Sequence, residues 1–303
     1  MGYMELSSLT TEQRNPNSMN LDQQNTYDIL KTIHQEDAKI HQAIEDLLPI
    51  IDQVVEAVYQ RLLRGGRLIY VGAGTSGRLG YLDSSECQPT FMTPPEMVQT
   101  IMAGGVDAFF QASEGSEDQE SQGKEDIAVK DLGPSDVVIG ITASGRTPYP
   151  IGAVKHAKEQ GAFTVALTCN EGSEIGQITD QAIDVVVGPE VLTGSTRMKA
   201  ATAHKMILNM ISTTTMVKLG KVYENLMVDV QANNVKLRDR AKRIIMDIAE
   251  VTYEVAEETL AKTNNHVKPA IVMLKADVDY ETANRALDES DGYVREAIEL
   301  AKQ

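Results

Sequence analysis

Glycines, two hydroxyl residues and an arginine follow an apolar run in Tyr70-Val71-Gly72-Ala73-Gly74-Thr75-Ser76-Gly77-Arg78, and Ser84-Ser85-Glu86-Cys87 comes within one helix length of them. Backbone amides and hydroxyls in such a loop suit a phosphate, and Glu86 adds an ionisable group nearby. A second loop of like composition, Thr142-Ala143-Ser144-Gly145-Arg146-Thr147-Pro148, follows another apolar run. Together they assign a phosphate monoester to Thr75, Ser76, Ser144 and Thr147, with Gly74 and Gly145 supplying backbone. The plain alternative is helix capping by Ser or Thr, with Pro148 in the first turn. A third cluster is Thr193-Gly194-Ser195-Thr196-Arg197-Met198-Lys199. Its cations Arg197 and Lys199 lie near a helix N-terminus, where the dipole disfavours them without an anion. Substrate contact and a structural ion pair both satisfy that pattern.

Carboxylates act as general acid or base when burial or a neighbouring charge moves their pKa toward the working pH. Glu86 stands outside any charge run, between Ser85 and Cys87, which favours a chemical role. The other source of carboxylates is the acidic run Glu114-Gly115-Ser116-Glu117-Asp118, with Glu120 beyond it. On spacing alone this run reads as the solvated face of a helix.

Several chemistries are disfavoured. Val98-Gln99-Thr100-Ile101-Met102-Ala103 supplies no acidic residue closing a second strand, as dinucleotide binding requires, and no GxxxxGK[ST] is present. His34, His41, His156, His204 and His266 form no ligand pattern, so neither a metal nor a cofactor is expected. Cys87 and Cys169 give no disulfide framework, and Cys87 reads as a buried spectator thiol. A net charge of −16 disfavours nucleic acid and anionic membranes as partners. An anionic ligand must therefore be held by local donors that override the global field. No run approaches the length of a membrane span, and the polar stretch from Met1 to Asn25 lacks the basic and apolar parts of a secretory signal. These features predict a cytoplasmic protein.

The elements that must position these residues are legible as hydrophobic patterning. Tyr27 to Gly65 has apolar residues at helical spacing, and Gly65-Gly66 ends that stretch. Strand-like runs follow at Leu68 to Val71, Val98 to Met102, Val137 to Thr142, Thr164 to Thr168 and Ile183 to Val187, separated by helical segments such as Ile151 to Gln160. This alternation predicts an α/β fold with a doubly wound, parallel five-stranded sheet flanked by helices. In such folds ligands bind at the carboxyl ends of the strands. That edge carries Gly72 to Gly77, Gly104-Gly105, Ala143 to Thr147 and Gly194 to Lys199. A long helix from Met198 to Leu219 leads into a different region. There Tyr253-Glu254, Ala256, Leu260, Val267, Ala270-Ile271 and Lys275 recur 280 − 253 = 27 residues later as Tyr280-Glu281, Ala283, Leu287, Val294, Ala297-Ile298 and Lys302. Each copy reads as two short helices around a polar turn, giving a small C-terminal all-α module. The expected organisation is a helical segment over 1–66, an α/β core over 67–235 and the helical module over 236–303.

The strings GAGTSGRLGYLDSSECQPT from Gly72, EGSEDQ from Glu114, ITASGRTPY from Ile141 and TGSTRMKAATAHKMILNM from Thr193 resemble the N-acetylmuramic acid 6-phosphate etherase family. Leu9 to Pro16 and Asn225 to Val230 are similar to it too. The resemblance implies a sugar isomerase (SIS) domain, a homodimer with residues of both subunits near the site, and a C-terminal region similar to ubiquitin-associated domains. It implies cleavage of the D-lactyl ether of N-acetylmuramic acid 6-phosphate, by elimination of lactate and addition of water, in cell-wall amino-sugar recycling. By motif match Glu86 corresponds to the family's proton donor and Glu117 to its second catalytic carboxylate, with Glu114 as alternate. Arg146, Arg197 and Lys199 are expected at the lactyl carboxylate, and Ser195 near the substrate. A phosphosugar sensor similar to the glucokinase regulatory protein, and an aldose-ketose phosphosugar isomerase, are the alternatives.

Overall fold

A computed structural model of the chain describes residues 9–111, 115–230 and 235–303. By contacts it divides into two units, one of residues 1–85 and 95–212 and the other of residues 86–94 and 213–303.

In the first unit the predicted helical stretch forms three helices, α1 (Thr26–Asp37), α2 (Lys39–Glu45) and α3 (Leu48–Leu62). α3 buries Ile51, Val54, Val55, Val58 and Leu62, which recur every three or four residues along one face. Burying such side chains contributes roughly 1.5–3 kcal/mol each. Gly65 ends the stretch with φ +78°, and a Cβ on Gly66 would lie 1.7 Å from the Ser135 carbonyl oxygen, so the chain turns here only with glycine. The core follows as β1 (Leu68–Gly72), α4 (Gly74–Phe91), β2 (Val98–Met102), α5 (Asp107–Phe110), α6 (Glu120–Ala128), β3 (Val137–Ile141), α7 (Pro148–Glu159), β4 (Phe163–Thr168), α8 (Glu174–Ile178), β5 (Gln181–Asp184) and α9 (Lys199–Lys218), with α4 counted in the second unit after Ser85 and α9 after Ser212.

All strand pairings in this sheet are parallel, in the order β2-β1-β3-β4-β5. β1 and β3 are buried throughout, as the continuous apolar runs of a sheet covered on both faces require. The chain leaves β1 toward one edge and returns to pair β3 on its other side. The loops after β1 and β3 therefore diverge at the topological switch point, where a crevice opens.

The sheet matches the expected one except at its last strand, predicted over Ile183 to Val187. β5 ends at Asp184 because its partner β4 ends at Thr168, whose carbonyl takes the amide of Val185. Val185 and Val187 are buried beyond the end of the ladder.

The second unit holds a short hairpin of β6 (Val222–Tyr223) and β7 (Leu226–Met227), then α10 (Val235–Ala249), α11 (Tyr253–Lys262), α12 (Val267–Ala276), α13 (Tyr280–Glu289) and α14 (Val294–Ala301). Its core includes Ile245, Leu260, Ile271, Leu287 and Ile298. The 27-residue repeat persists into the hydrogen bonds. Thr252 caps α11 and Asp279 caps α13. The hydroxyl of Thr263 donates to the His266 carbonyl at 2.7 Å, and that of Ser290 to the Tyr293 carbonyl at 3.2 Å. Between them Asn264-Asn265 and Asp291-Gly292 all take positive φ.

Candidate functional site

At the switch point lies a cavity of about 370 Å³, lined among others by Gly74, Thr75, Ser76 and Arg78 after β1 and by Thr142, Ser144 and Thr147 after β3. Close backbone packing shapes the first loop. Gly74 takes φ +53°, and a Cβ on Gly77 would lie 2.6 Å from Met102 Cγ, so α4 starts tight against β2. The residues of its first turn, whose amides lack intrahelical partners, thus border the cavity.

The second loop tests the capping alternative directly. Thr147 is the N-cap of α7, yet its side chain makes no capping bond. Its hydroxyl instead lies 2.8 Å from that of Thr142, which is 3.3 Å from that of Ser144. These three hydroxyls form a chain along the cavity wall, able to rotate donors toward an anion. Gly145 does not line the cavity. With φ +72° it turns the loop, and a Cβ there would lie 2.2 Å from Ser173 Cβ.

Glu117 also lines the cavity, from an exposed turn ahead of α6 rather than from a helix. The expected solvated helix face starts only at Glu120, because Gln119 takes a non-helical backbone as N-cap of α6. The Glu117 carbonyl accepts the amide of Tyr149 at 3.0 Å. α6 and α7 approach closely enough for this because both carry glycine at the contact. A Cβ on Gly123 would lie 1.9 Å from the Tyr149 carbonyl oxygen, and one on Gly152 1.9 Å from that of Glu120. The buried Tyr149 hydroxyl donates to Asp126 at 2.6 Å, and burial pushes its pKa up.

Glu114 lies outside the described residues. Glu86 is exposed on α4 within the second unit's share of the chain, and is not among the lining residues. Arg146, Ser195 and Arg197 do not line the cavity either. Lys199, an expected carboxylate ligand, is fully buried and pairs with Glu36 at 2.7 Å. Of the two readings the sequence allowed for this lysine, the structure has the ion pair. Burial would raise the Glu36 pKa, but hydrogen bonds from Lys199, Lys39, Asn17 and Asn15 outweigh it and bring the pKa down to about 2. The buried Glu190 carboxylate accepts the amides of Lys199 and Ala200 at 3.1 and 2.9 Å, capping α9.

The cavity also contains residues that motif reading left unassigned. The Arg78 guanidinium donates to the carbonyls of Ala108 and Phe109 at 2.8 and 3.0 Å, which fixes it beside the first loop. It is the one lysine or arginine among the described residues that line the cavity, and its place within the string Gly72 to Arg78 was the available signal. His204 lines the cavity while nearly fully buried, with Nε2 3.3 Å from Cys169 Sγ. Burial lowers its pKa to about 4, so it is neutral near pH 7, and burial raises the Cys169 thiol pKa. Gly194, Thr196 and Glu12 complete the polar side. No side-chain cluster of metal-ligating type occurs among the described residues, and no described helix is long and apolar enough to cross a membrane.

A parallel sheet in this order, with hydroxyl loops at its switch point, defines an SIS-domain protein. The SIS domain profile matches residues 121–214, and that of the glucokinase regulatory protein N-terminal SIS domain matches residues 49–158. A phosphoheptose isomerase from Francisella tularensis superposes with a TM-score of 0.50 at 20% identity, over 64% of this chain and all of that one, which is a likeness of fold. The N-acetylmuramic acid 6-phosphate etherase of Bacillus subtilis (strain 168) is 55% identical over 272 residues, 90% of each chain. That of Glaesserella parasuis serovar 5 (strain SH0165) is 53% identical over 269 residues, 89% of this chain and 88% of its own. The chain belongs to the N-acetylmuramic acid 6-phosphate etherase family.

Proposed function

We propose that the cavity binds N-acetylmuramic acid 6-phosphate with its phosphate on Thr75, Ser76, Ser144 and Thr147. The protein cleaves the D-lactyl ether of this substrate to N-acetylglucosamine 6-phosphate and D-lactate. The observation that carries the reading is the convergence of both hydroxyl loops and Glu117 on one cavity, in a chain 55% identical over 272 residues to an etherase.

The chemistry needs acid and base groups rather than a metal. Once the sugar ring is open, the C1 aldehyde acidifies the proton at C2. A base removes that proton, a C2=C3 double bond forms, and the C3 oxygen leaves with lactate as an acid protonates it. Water then adds at C3 with the two roles reversed. Glu86 and Glu117 are the pair we assign to these steps, on the match of SSEC and EGSED to the family's strings. Arg78 is the cation we place at the phosphate end. A cytoplasmic homodimer, with no nucleic acid or membrane partner, is part of the same reading. The match to a glucokinase regulatory protein domain keeps a phosphosugar sensor as the second reading.

D-lactate release from the phosphorylated sugar by the purified protein, with the unphosphorylated sugar as control, decides between them. Lactate from the phosphorylated sugar alone establishes the etherase. Saturable binding of the sugar phosphate without lactate establishes the sensor.

A further inference from the structure

The elimination has a prerequisite that neither Glu86 nor Glu117 is assigned to perform. The C2 proton becomes acidic only in the open-chain aldehyde, so the pyranose must open first. In that step the O1 hydroxyl loses its proton as the C1=O1 bond forms. The C1–O5 bond breaks with its electron pair going to O5, and O5 takes up a proton. No oxidant or reductant is involved, and a single carboxylate can take the first proton and return it, since O1 and O5 share C1. The geometry points to Glu12 as the group that opens the ring, an assignment that rests on the etherase reading of the cavity.

Glu12 and Glu117 are the two carboxylates among the described residues that line the cavity. Glu12 ends a 3-10 turn, Thr10–Glu12, that is fastened on both sides. The Thr10 amide donates to Asn170 Oδ1 at 2.7 Å, and Asn170 Nδ2 donates to the Ala143 carbonyl at 2.9 Å, inside the phosphate loop. Thr11 is buried, and its hydroxyl accepts from Asn170 Nδ2 at 3.3 Å. Three residues beyond Glu12, the buried Asn15 donates to Glu36 and to the Pro189 carbonyl, both at 2.9 Å. Farther on, the Ser18 hydroxyl donates to the Val191 carbonyl at 2.7 Å. The segment is thus a strap across the sheet edge, and of the exposed residues between its anchors Thr11 and Asn15, namely Glu12, Gln13 and Arg14, Glu12 is the one that lines the cavity.

The Glu12 carboxylate has no hydrogen-bond or ion-pair partner among the described residues, and a Cβ on Gly194 would lie 3.5 Å from its Oε2. Its charge opposes phosphate binding, so it does not serve affinity for the anion. A carboxylate held open to the cavity serves proton transfer. The other titratable lining group with a free electron pair, His204, is enclosed and faces Cys169.

The test is anomer exchange of N-acetylglucosamine 6-phosphate, followed by NMR, in parallel with lactate release. The wild-type protein is expected to accelerate the exchange. Glu12→Gln should lower both rates by about 100-fold or more, while inorganic phosphate inhibits it at equal or lower concentration than wild type. Glu12→Asp should recover part of both rates. Wild-type exchange rates in Glu12→Gln overturn the assignment, as does loss of phosphate inhibition together with activity, which would mark a structural role. A wild-type protein that accelerates exchange but releases no lactate sinks the etherase reading and leaves the ring-opening role standing.

Discussion

The amide of Tyr149 donates to the carbonyl of Glu117 at 3.0 Å, so the turn that carries a cavity carboxylate is fastened to the first turn of α7, the helix beginning at the second hydroxyl loop. This bond exists because Gly123 and Gly152 let α6 and α7 touch backbone to backbone.

Gly123→Ala should therefore harm activity from a distance. The added methyl meets backbone 1.9 Å away rather than a movable side chain. The helices must part, at a cost of about 1–3 kcal/mol. A lower urea midpoint together with a reduced kcat is the expected result; unchanged values for both would show that the contact does not set the Glu117 turn.

Glu117→Gln and Glu86→Gln should each lower turnover by about 100-fold or more, as loss of a general acid or base typically does. Thermal midpoints close to wild type should accompany the loss, since both side chains are exposed. Near-full activity in either variant would remove that residue from the mechanism.

Ser76→Ala should act on binding. Losing one hydrogen bond to a charged group costs about 1.5–3 kcal/mol, which raises KM roughly tenfold or more with kcat little changed. An unchanged KM would place the phosphate elsewhere.

Acid stability should fall in two stages. The folded His204 pKa is depressed from 6.5 to about 4, so the unfolded chain binds this proton more readily and stability declines as pH drops through that interval. Glu36, depressed from 4.5 to about 2, stabilises the fold above pH 4.5, and that contribution is lost on descending to about 2. Urea titrations at stepped pH would follow both stages. His204→Gln should flatten the first, and a slope unaltered by this change would exclude the histidine.

Lys199→Met should destabilise the protein by about 3–5 kcal/mol, because it leaves Glu36 buried without its main partner. The companion variant Arg197→Met, exposed at the surface, should cost far less.

The sheet, its edge and the hydroxyl loops were legible because each is local: an apolar run, a glycine turn, a helix start. The 27-residue repeat was legible for the same reason, down to its polar turns. Lys199 was not, since its partner Glu36 lies 163 residues away and nothing beside the lysine announces burial. Glu117 read as helix because charge spacing at 114–120 imitates a solvated face, whereas the backbone is set by the amide of Tyr149. Glu12 escaped altogether, because its place depends on Asn170, whose anchoring role has no signature in its own neighbourhood.

The strap described above reverses the order of synthesis. Residues 10–18 are made well before Asn170, Pro189 and Val191, the residues on which they dock. A nascent chain can gather strands as they emerge, but it holds an unfinished cavity until Val191 has been made. During that interval residues 10–18 lack the partners that seat them.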